Sequence, residues 1–226
     1  MRKKVKLNHV REVSYSEEEW ERLSSLREKA LKVMKRIQDF SPLAYGSLAR
    51  GDVHRKSDID LVVLYSVPSY LLELRLSELG VVQRKVCQAT PWSVVKGHIL
   101  LQDMEISFPL VSPKKIEKEF YRFGGFLDIL GLENKKRVSG VDKRLCLIEP
   151  TKRGHRETSI LGREGEIAKL LGISLNVVSE RVKVLQKRDR IGRTGIFVNR
   201  VLRPRETFEE ILREVTLKNS QFRRRL

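Results

Sequence analysis

Residues 45–63 read Tyr45-Gly46-Ser47-Leu48-Ala49-Arg50-Gly51-Asp52-Val53-His54-Arg55-Lys56-Ser57-Asp58-Ile59-Asp60-Leu61-Val62-Val63, and the rest of the chain is read outward from them. A short apolar run stops at Gly46-Ser47, and a polar loop follows. Ile59 to Tyr65 is then almost continuously apolar and β-branched, as expected of a strand buried on both faces. Residues two apart in a strand share a face, so Asp58 and Asp60 present paired carboxylates while Ile59, Leu61 and Val63 bury the other side. Two close acids repel, and the pattern makes sense where divalent cations neutralise them. Gly46 lets the backbone approach a phosphate closely, and Ser47 offers it a hydroxyl and an N–H.

Gly-Ser, a spacer and Asp-x-Asp running into an apolar strand resembles the nucleotidyltransferase superfamily of DNA polymerase beta. The resemblance covers residues 42–110, and the Arg50-Gly51 and Ser57 positions match its smaller members. It implies two Mg²⁺ ions, with Mn²⁺ as a possible substitute, on Asp58 and Asp60, and a triphosphate held by Gly46 and Ser47. Of the basic residues in the loop, Arg50 is the one assigned to the nucleotide. The family also carries a third carboxylate on a neighbouring strand, for which Asp103 and Glu105 compete. Asp103 reads as a turn residue. Glu105 stands mid-strand between Met104 and Ile106, where an acid needs a reason, and is the choice.

Before the motif, Ser16 and Glu19 form a capping box for a helix whose apolar stripe runs Trp20, Leu23, Leu26, Ala30, Val33 and Ile37. After it, the pattern predicts a helix from Pro68 to Leu79. Strands follow over 81–87, 93–101 and 104–110, with a helix from Pro113 carrying Phe126 and Ile129, and a strand near 144–148. The fold class is α+β: a nucleotidyltransferase fold with a mixed sheet flanked by helices, plus a C-terminal winged helix-turn-helix domain. The expected divisions are an N-terminal helix in 1–40, a catalytic domain over 41–150 and a basic winged-helix-like domain over 151–226. Residues 150–162 read as a linker or a substrate-facing loop, and Ala168, Gly172 and Val178 have helix-turn-helix spacing, with Ser174 capping the second helix. Residues 191–202 read as a β-wing, and 205–215 as one more helix.

The net charge of +17 is lopsided, since residues 151–226 hold 19 Lys/Arg against 9 Asp/Glu. Such a field favours nucleic acid as a partner. Arg181, Lys183, Lys187, Arg188 and Arg193 are the residues expected to meet it. No apolar run is long enough for a membrane span, and the basic N-terminus has no apolar segment behind it. Cys87 and Cys146 stand apart from each other and from any Cys/His grouping, which fits reduced thiols in the cytoplasm and argues against zinc. His98 and His155 receive no catalytic role, and Tyr45 reads as a core residue.

The function expected is metal-dependent transfer of a nucleoside monophosphate from an NTP to an acceptor hydroxyl, with nucleic acid favoured and pyrophosphate released. Two alternatives stay open. One is a winged-helix DNA-binding regulator that senses nucleotide without turnover; the other is an adenylyltransferase that modifies a protein.

Overall fold

The computed structural model describes residues 6–192 and 195–218. Its elements begin with β1 (Val10–Ser14), α1 (Glu17–Arg36), β2 (Leu43–Tyr45), α2 (Ser47–Arg50), β3 (Ile59–Val62) and α3 (Ser69–Leu76). Next come β4 (Gln83–Gln88), β5 (Lys96–Leu100), β6 (Met104–Pro109), α4 (Lys115–Gly124), β7 (Phe126–Leu127) and α5 (Ile129–Glu133). The last are β8 (Gly140–Val141), β9 (Cys146–Thr151), β10 (Gly154–Ser159), α6 (Glu164–Leu171), α7 (Leu175–Ile191), β11 (Val198–Val201) and α8 (Phe208–Lys218).

These strands build a seven-stranded sheet in the order β11-β4-β5-β6-β3-β2-β7 and a four-stranded sheet in the order β1-β10-β9-β8. The larger sheet is mixed, because β3 pairs with β6 in parallel while its other pairings are antiparallel. Helix α1 starts on the expected box: the Ser16 hydroxyl accepts from the Glu19 N–H, and the Glu19 carboxylate accepts from the Ser16 N–H. Its stripe buries Leu23, Ala30, Val33 and Met34 against the sheet residues Ile59, Leu61, Ile99 and Ile106. The opposite face of the sheet carries Asp60, Lys85, His98 and Glu105.

Several expectations for the second half are corrected by the tertiary packing. The expected linker at 150–162 is largely the β9–β10 hairpin, so the boundary placed at 150/151 falls inside paired strands. Strand β1, unforeseen, covers the outer edge of that hairpin. Phe126 and Ile129 do not continue α4, which ends at Gly124; Phe126 belongs to β7 and pairs opposite Tyr45.

The helix-turn-helix spacing corresponds to α6 and α7 with Gly172 at φ +62 between them. These helices share a core with the hairpin and α4, in which Ile167, Ala168, Val178, Val182 and Leu185 meet Phe123, Leu145, Leu147 and Ile160. Ser174 does occupy the N-cap of α7, yet its side chain makes no cap bond; N–H and hydroxyl both donate to Glu119 Oε2 of α4, at 2.9 and 2.6 Å.

No wing hairpin forms among the described residues. Val198–Val201 instead joins the larger sheet as the antiparallel neighbour of β4. Helix α8 follows it there, with fully buried Phe208 edge-on to Phe108 at 5.1 Å and Glu209 accepting from the Ser69 hydroxyl at 2.9 Å. An apolar stripe of Phe208, Ile211 and Val215 is satisfied by any apolar face, and here that face belongs to the larger sheet.

The smaller sheet carries a buried polar chain. Tyr15 Oη lies 2.6 Å from His155 Nδ1, His155 Nε2 lies 3.3 Å from Glu157, and Arg144 bridges Glu157 and Asp142 at 2.5 Å each. Burial pushes the Glu157 carboxyl up, but the Arg144 and His155 hydrogen bonds and charges outweigh it and hold the group at about 2. Since the folded-state value lies below the unfolded one, this stabilisation is complete above about pH 4.5 and is lost as pH falls toward 2. Thermal melts should therefore lose about 1–3 kcal/mol across that window. Glu157→Gln should flatten that part of the pH curve; an unchanged slope in the variant would remove Glu157 from the account.

Candidate active site

Asp58 directly precedes β3 and is exposed, and Asp60 sits half-buried within it. Ile59, Leu61 and Val63 on the alternate positions are 0–1% exposed, so the aspartates are held by a rigid apolar backing. The parallel pairing of β3 with β6 puts Asp60 directly opposite Glu105. Asp103 goes elsewhere: exposed in the turn before β6, it forms an ion pair with Lys29 of α1 at 2.6 Å.

Gly46 closes β2, which runs antiparallel to β3, so its turn lies at the end of the sheet where Asp58 and Asp60 begin. Its backbone has φ +70 and ψ −133, a region that only glycine occupies without strain. The Gly46 N–H donates to the Gly125 carbonyl at 2.9 Å, and its own carbonyl accepts from the Ala49 and Arg50 N–H groups. Ser47, half-buried, heads the short α2 turn that follows. Gly46→Ala should cost about 1–3 kcal/mol through backbone strain. Because a Cβ there meets only the Arg50 guanidinium, at 4.0 Å, urea unfolding should register that strain and little steric clash.

Arg50, expected to meet the nucleotide, is 6% exposed and bonded within the fold: Nε and Nη2 grip both oxygens of Asp52 at 3.0 Å, and Nη1 donates to the Gly124 carbonyl at 2.6 Å. These bonds fix the turn to the end of α4. Asp52, two residues away, was the missed partner.

The carboxylates differ in state. Burial, and then the neighbouring Asp58 charge, pushes Asp60 up to about 6. Glu105 moves the other way, to about 2, chiefly because His98 Nδ1 hydrogen-bonds its Oε1. The Lys85 ammonium lies 3.4 Å from the same oxygen. His98 and Lys85 are cross-strand partners on β5 and β4, and their side chains meet Glu105 on the polar face. His98 thus touches the site after all; alternation along β5 placed it on the polar face, but only the sheet order shows which acid it meets. Two neighbouring carboxylates, with the Asp58 charge helping to raise the Asp60 value, fit a divalent cation. Glu105 fits as a third oxygen donor once His98 and Lys85 share it.

The cations expected to face nucleic acid divide. Lys183, Lys187 and Arg188 are exposed on α7, Arg181 is turned inward against Phe120, and Arg193 lies outside the described residues. His155 is buried in the polar chain of the smaller sheet. Tyr45 packs edge-on to Tyr121 at 5.2 Å and beside Phe120.

Strand pairing also assembles a cluster with no signal along the chain: His9 Nε2, Cys146 Sγ and a Glu157 oxygen lie within 4.8 Å of one another. Arg144 already occupies the carboxylate, and burial pushes the Cys146 thiol up to about 12, so the donors as placed do not suit a cation.

Residues 27–126 match the family model described as nucleotidyltransferase domain, a span that includes Gly46, Ser47, Asp58, Asp60 and Glu105. The match is confined to this part of the chain, which is less than half of its length. No curated protein matches the sequence. Among solved structures, that of the GLD-2/RNP-8 complex is similar at 19% identity over 49% of this chain and 46% of that one, with a TM-score of 0.29. A structure of Cid1, described by its RNA terminal uridylyl transferase activity, is similar at 17% identity over 48% of this chain and 34% of that one, also at 0.29. The chain thus spans less than half the length of either, and likeness at this level says nothing of substrate. No helix among the described residues is long and apolar enough to cross a membrane.

Proposed function

We propose that the protein transfers a nucleoside monophosphate from an NTP to an acceptor hydroxyl, releasing pyrophosphate. One observation carries the reading: Asp60 and Glu105 face each other across parallel strands, with Asp58 beside them and the Gly46–Ser47 turn at the same end of the sheet. Asp58, Asp60 and Glu105 would hold two Mg²⁺ or Mn²⁺ ions, which supply charge neutralisation at the phosphates and a more acidic attacking hydroxyl. The chain's own residues do the rest. The Gly46 backbone gives a close approach for the triphosphate, Ser47 hydrogen-bonds its oxygens, and the apolar backing of β3 keeps the carboxylates in place. Arg50 acts through Gly46, as a positioning residue. His98 and Lys85 neutralise Glu105 while it is free of metal.

The acceptor we favour is nucleic acid. Lys183, Lys187 and Arg188 on the exposed side of α7 would neutralise phosphates whatever the base sequence. The pairing of Val198–Val201 with β4 in the larger sheet supports the enzyme reading over a winged-helix regulator. Incubation with each α-labelled NTP, Mg²⁺ and a mixture of RNA, DNA and protein tests the proposal. Label on nucleic acid supports it; label on protein alone would replace the acceptor class. No label with any acceptor, despite nucleotide binding, would favour the sensor.

A further inference from the structure

Arg181 is unlike the other cations of α7. Its guanidinium carbon sits 4.8 Å from the centre of the Phe120 ring, and its Nε is buried with no hydrogen-bond partner. Burial lowers its pKa, and the Glu180 charge opposes that only in part. Lys96 of β5 approaches the same ring, with its ammonium 5.6 Å from the Phe120 centre and 4.7 Å from that of Tyr121. The hydrogen bond found for that ammonium is to the neutral Tyr121 hydroxyl, at 2.6 Å. Two cations therefore gather on one aromatic group, and among the described residues no carboxylate is bonded to either. A native fold rarely leaves a buried donor unsatisfied, and a cation withdrawn from water without a counter-charge is costly. Cation–π contact with Phe120 and Tyr121 offsets only part of that cost.

The cluster adjoins the catalytic end of the sheet through Tyr45, the residue before Gly46. Its ring packs against both Phe120 and Tyr121, and the charges of Arg50, Arg181 and Asp60 all act on its hydroxyl. The terminal nitrogens of such a guanidinium form the planar fork that suits phosphate oxygens, and an ammonium on the same ring adds a point charge. We propose that Arg181 and Lys96 form a phosphate-binding subsite next to the Gly46–Asp60 centre, so that the helix-turn-helix unit supplies a binding residue to the active site. This rests on the nucleotidyl-transfer reading only in identifying the phosphate's source, the nucleotide or the acceptor strand.

Arg181→Met keeps the stem against Phe120 without the charge, and Lys96→Gln keeps a donor for Tyr121. Binding of α,β-methylene-ATP with Mg²⁺, and of a fluorescent oligoadenylate over a salt series, is measured for wild type and both variants, with thermal melts alongside. Each variant should weaken one probe about tenfold. Loss on methylene-ATP assigns the phosphate to the nucleotide. Loss on the oligonucleotide, with a salt slope smaller by about 0.7, assigns it to the strand. Arg181→Met should melt no lower than wild type, because it removes an unsatisfied buried donor. Unchanged binding of both probes, or a lower melting temperature with unchanged binding, marks a packing role and overturns the subsite. Failure of wild type to bind either probe overturns the subsite and the proposed function together.

Discussion

Asp60→Asn should abolish nucleotidyl transfer and, in the metal-free protein, raise stability at neutral pH. The first effect follows from removing one of the carboxylates that hold both ions, a loss on the order of 10³-fold or more in rate. The second follows from its surroundings. Burial and the Asp58 charge raise the folded-state value of Asp60 from 3.8 to about 6. A carboxyl whose value is raised by folding stabilises the fold least when ionised, so the penalty is absent below about pH 4 and complete above about pH 6. Discounted for the solvent that reaches this half-exposed site, it amounts to about 1–2 kcal/mol. Denaturation curves at pH 7.5 and 4 would separate the variant from wild type only at the higher pH, by about that amount. Parallel loss of activity and stability at pH 7.5 would mean that Asp60 serves the fold rather than a cation.

Arg50→Met is expected to produce the largest loss of stability. The Asp52 side chain is only 13% exposed, and losing its bidentate partner strands a carboxylate in the interior. The Gly124 carbonyl loses its donor in the same step. Breaking one side of such a pair costs about 3–5 kcal/mol, which urea unfolding would show directly. Asp52→Asn introduced with Arg50→Met should recover part of it, since the stranded charge is gone. A variant as stable as wild type but weaker for nucleotide would restore Arg50 to the nucleotide-binding set.

The motif was legible because every part of it is local. Alternation along a strand fixes which way Asp58, Asp60 and Ile59 point, and Gly46 must be glycine for a reason internal to its own φ. The choice of Glu105 over Asp103 likewise rested on mid-strand against turn position, and the registers set Glu105 opposite Asp60. Helix α1 was readable from its capping box, and α6 and α7 from the helix-turn-helix spacing of Ala168, Gly172 and Val178.

What the sequence hid was partnership across the fold. Arg50 carries the same charge whether it meets a triphosphate or Asp52, and only tertiary structure chooses. His98 looks like an ordinary strand histidine until β5 is laid beside β6. The apolar strand at 198–201 had an edge to complete, and β4 offered one that hairpin chemistry alone did not predict. Arg181 reads as a surface cation by composition, whereas its place on α7, next to buried Val182, turns it toward Phe120.

The central claim concerns which phosphorus is attacked. The NTP selected in the transfer assay, labelled at the α- or the γ-phosphorus, is incubated with its acceptor and Mg²⁺, with EDTA and the Asp58→Ala/Asp60→Ala protein as controls. The account predicts α-label on the acceptor and γ-label in pyrophosphate, both lost in the controls. γ-Label on the acceptor, or α-transfer that survives loss of both aspartates, would contradict it.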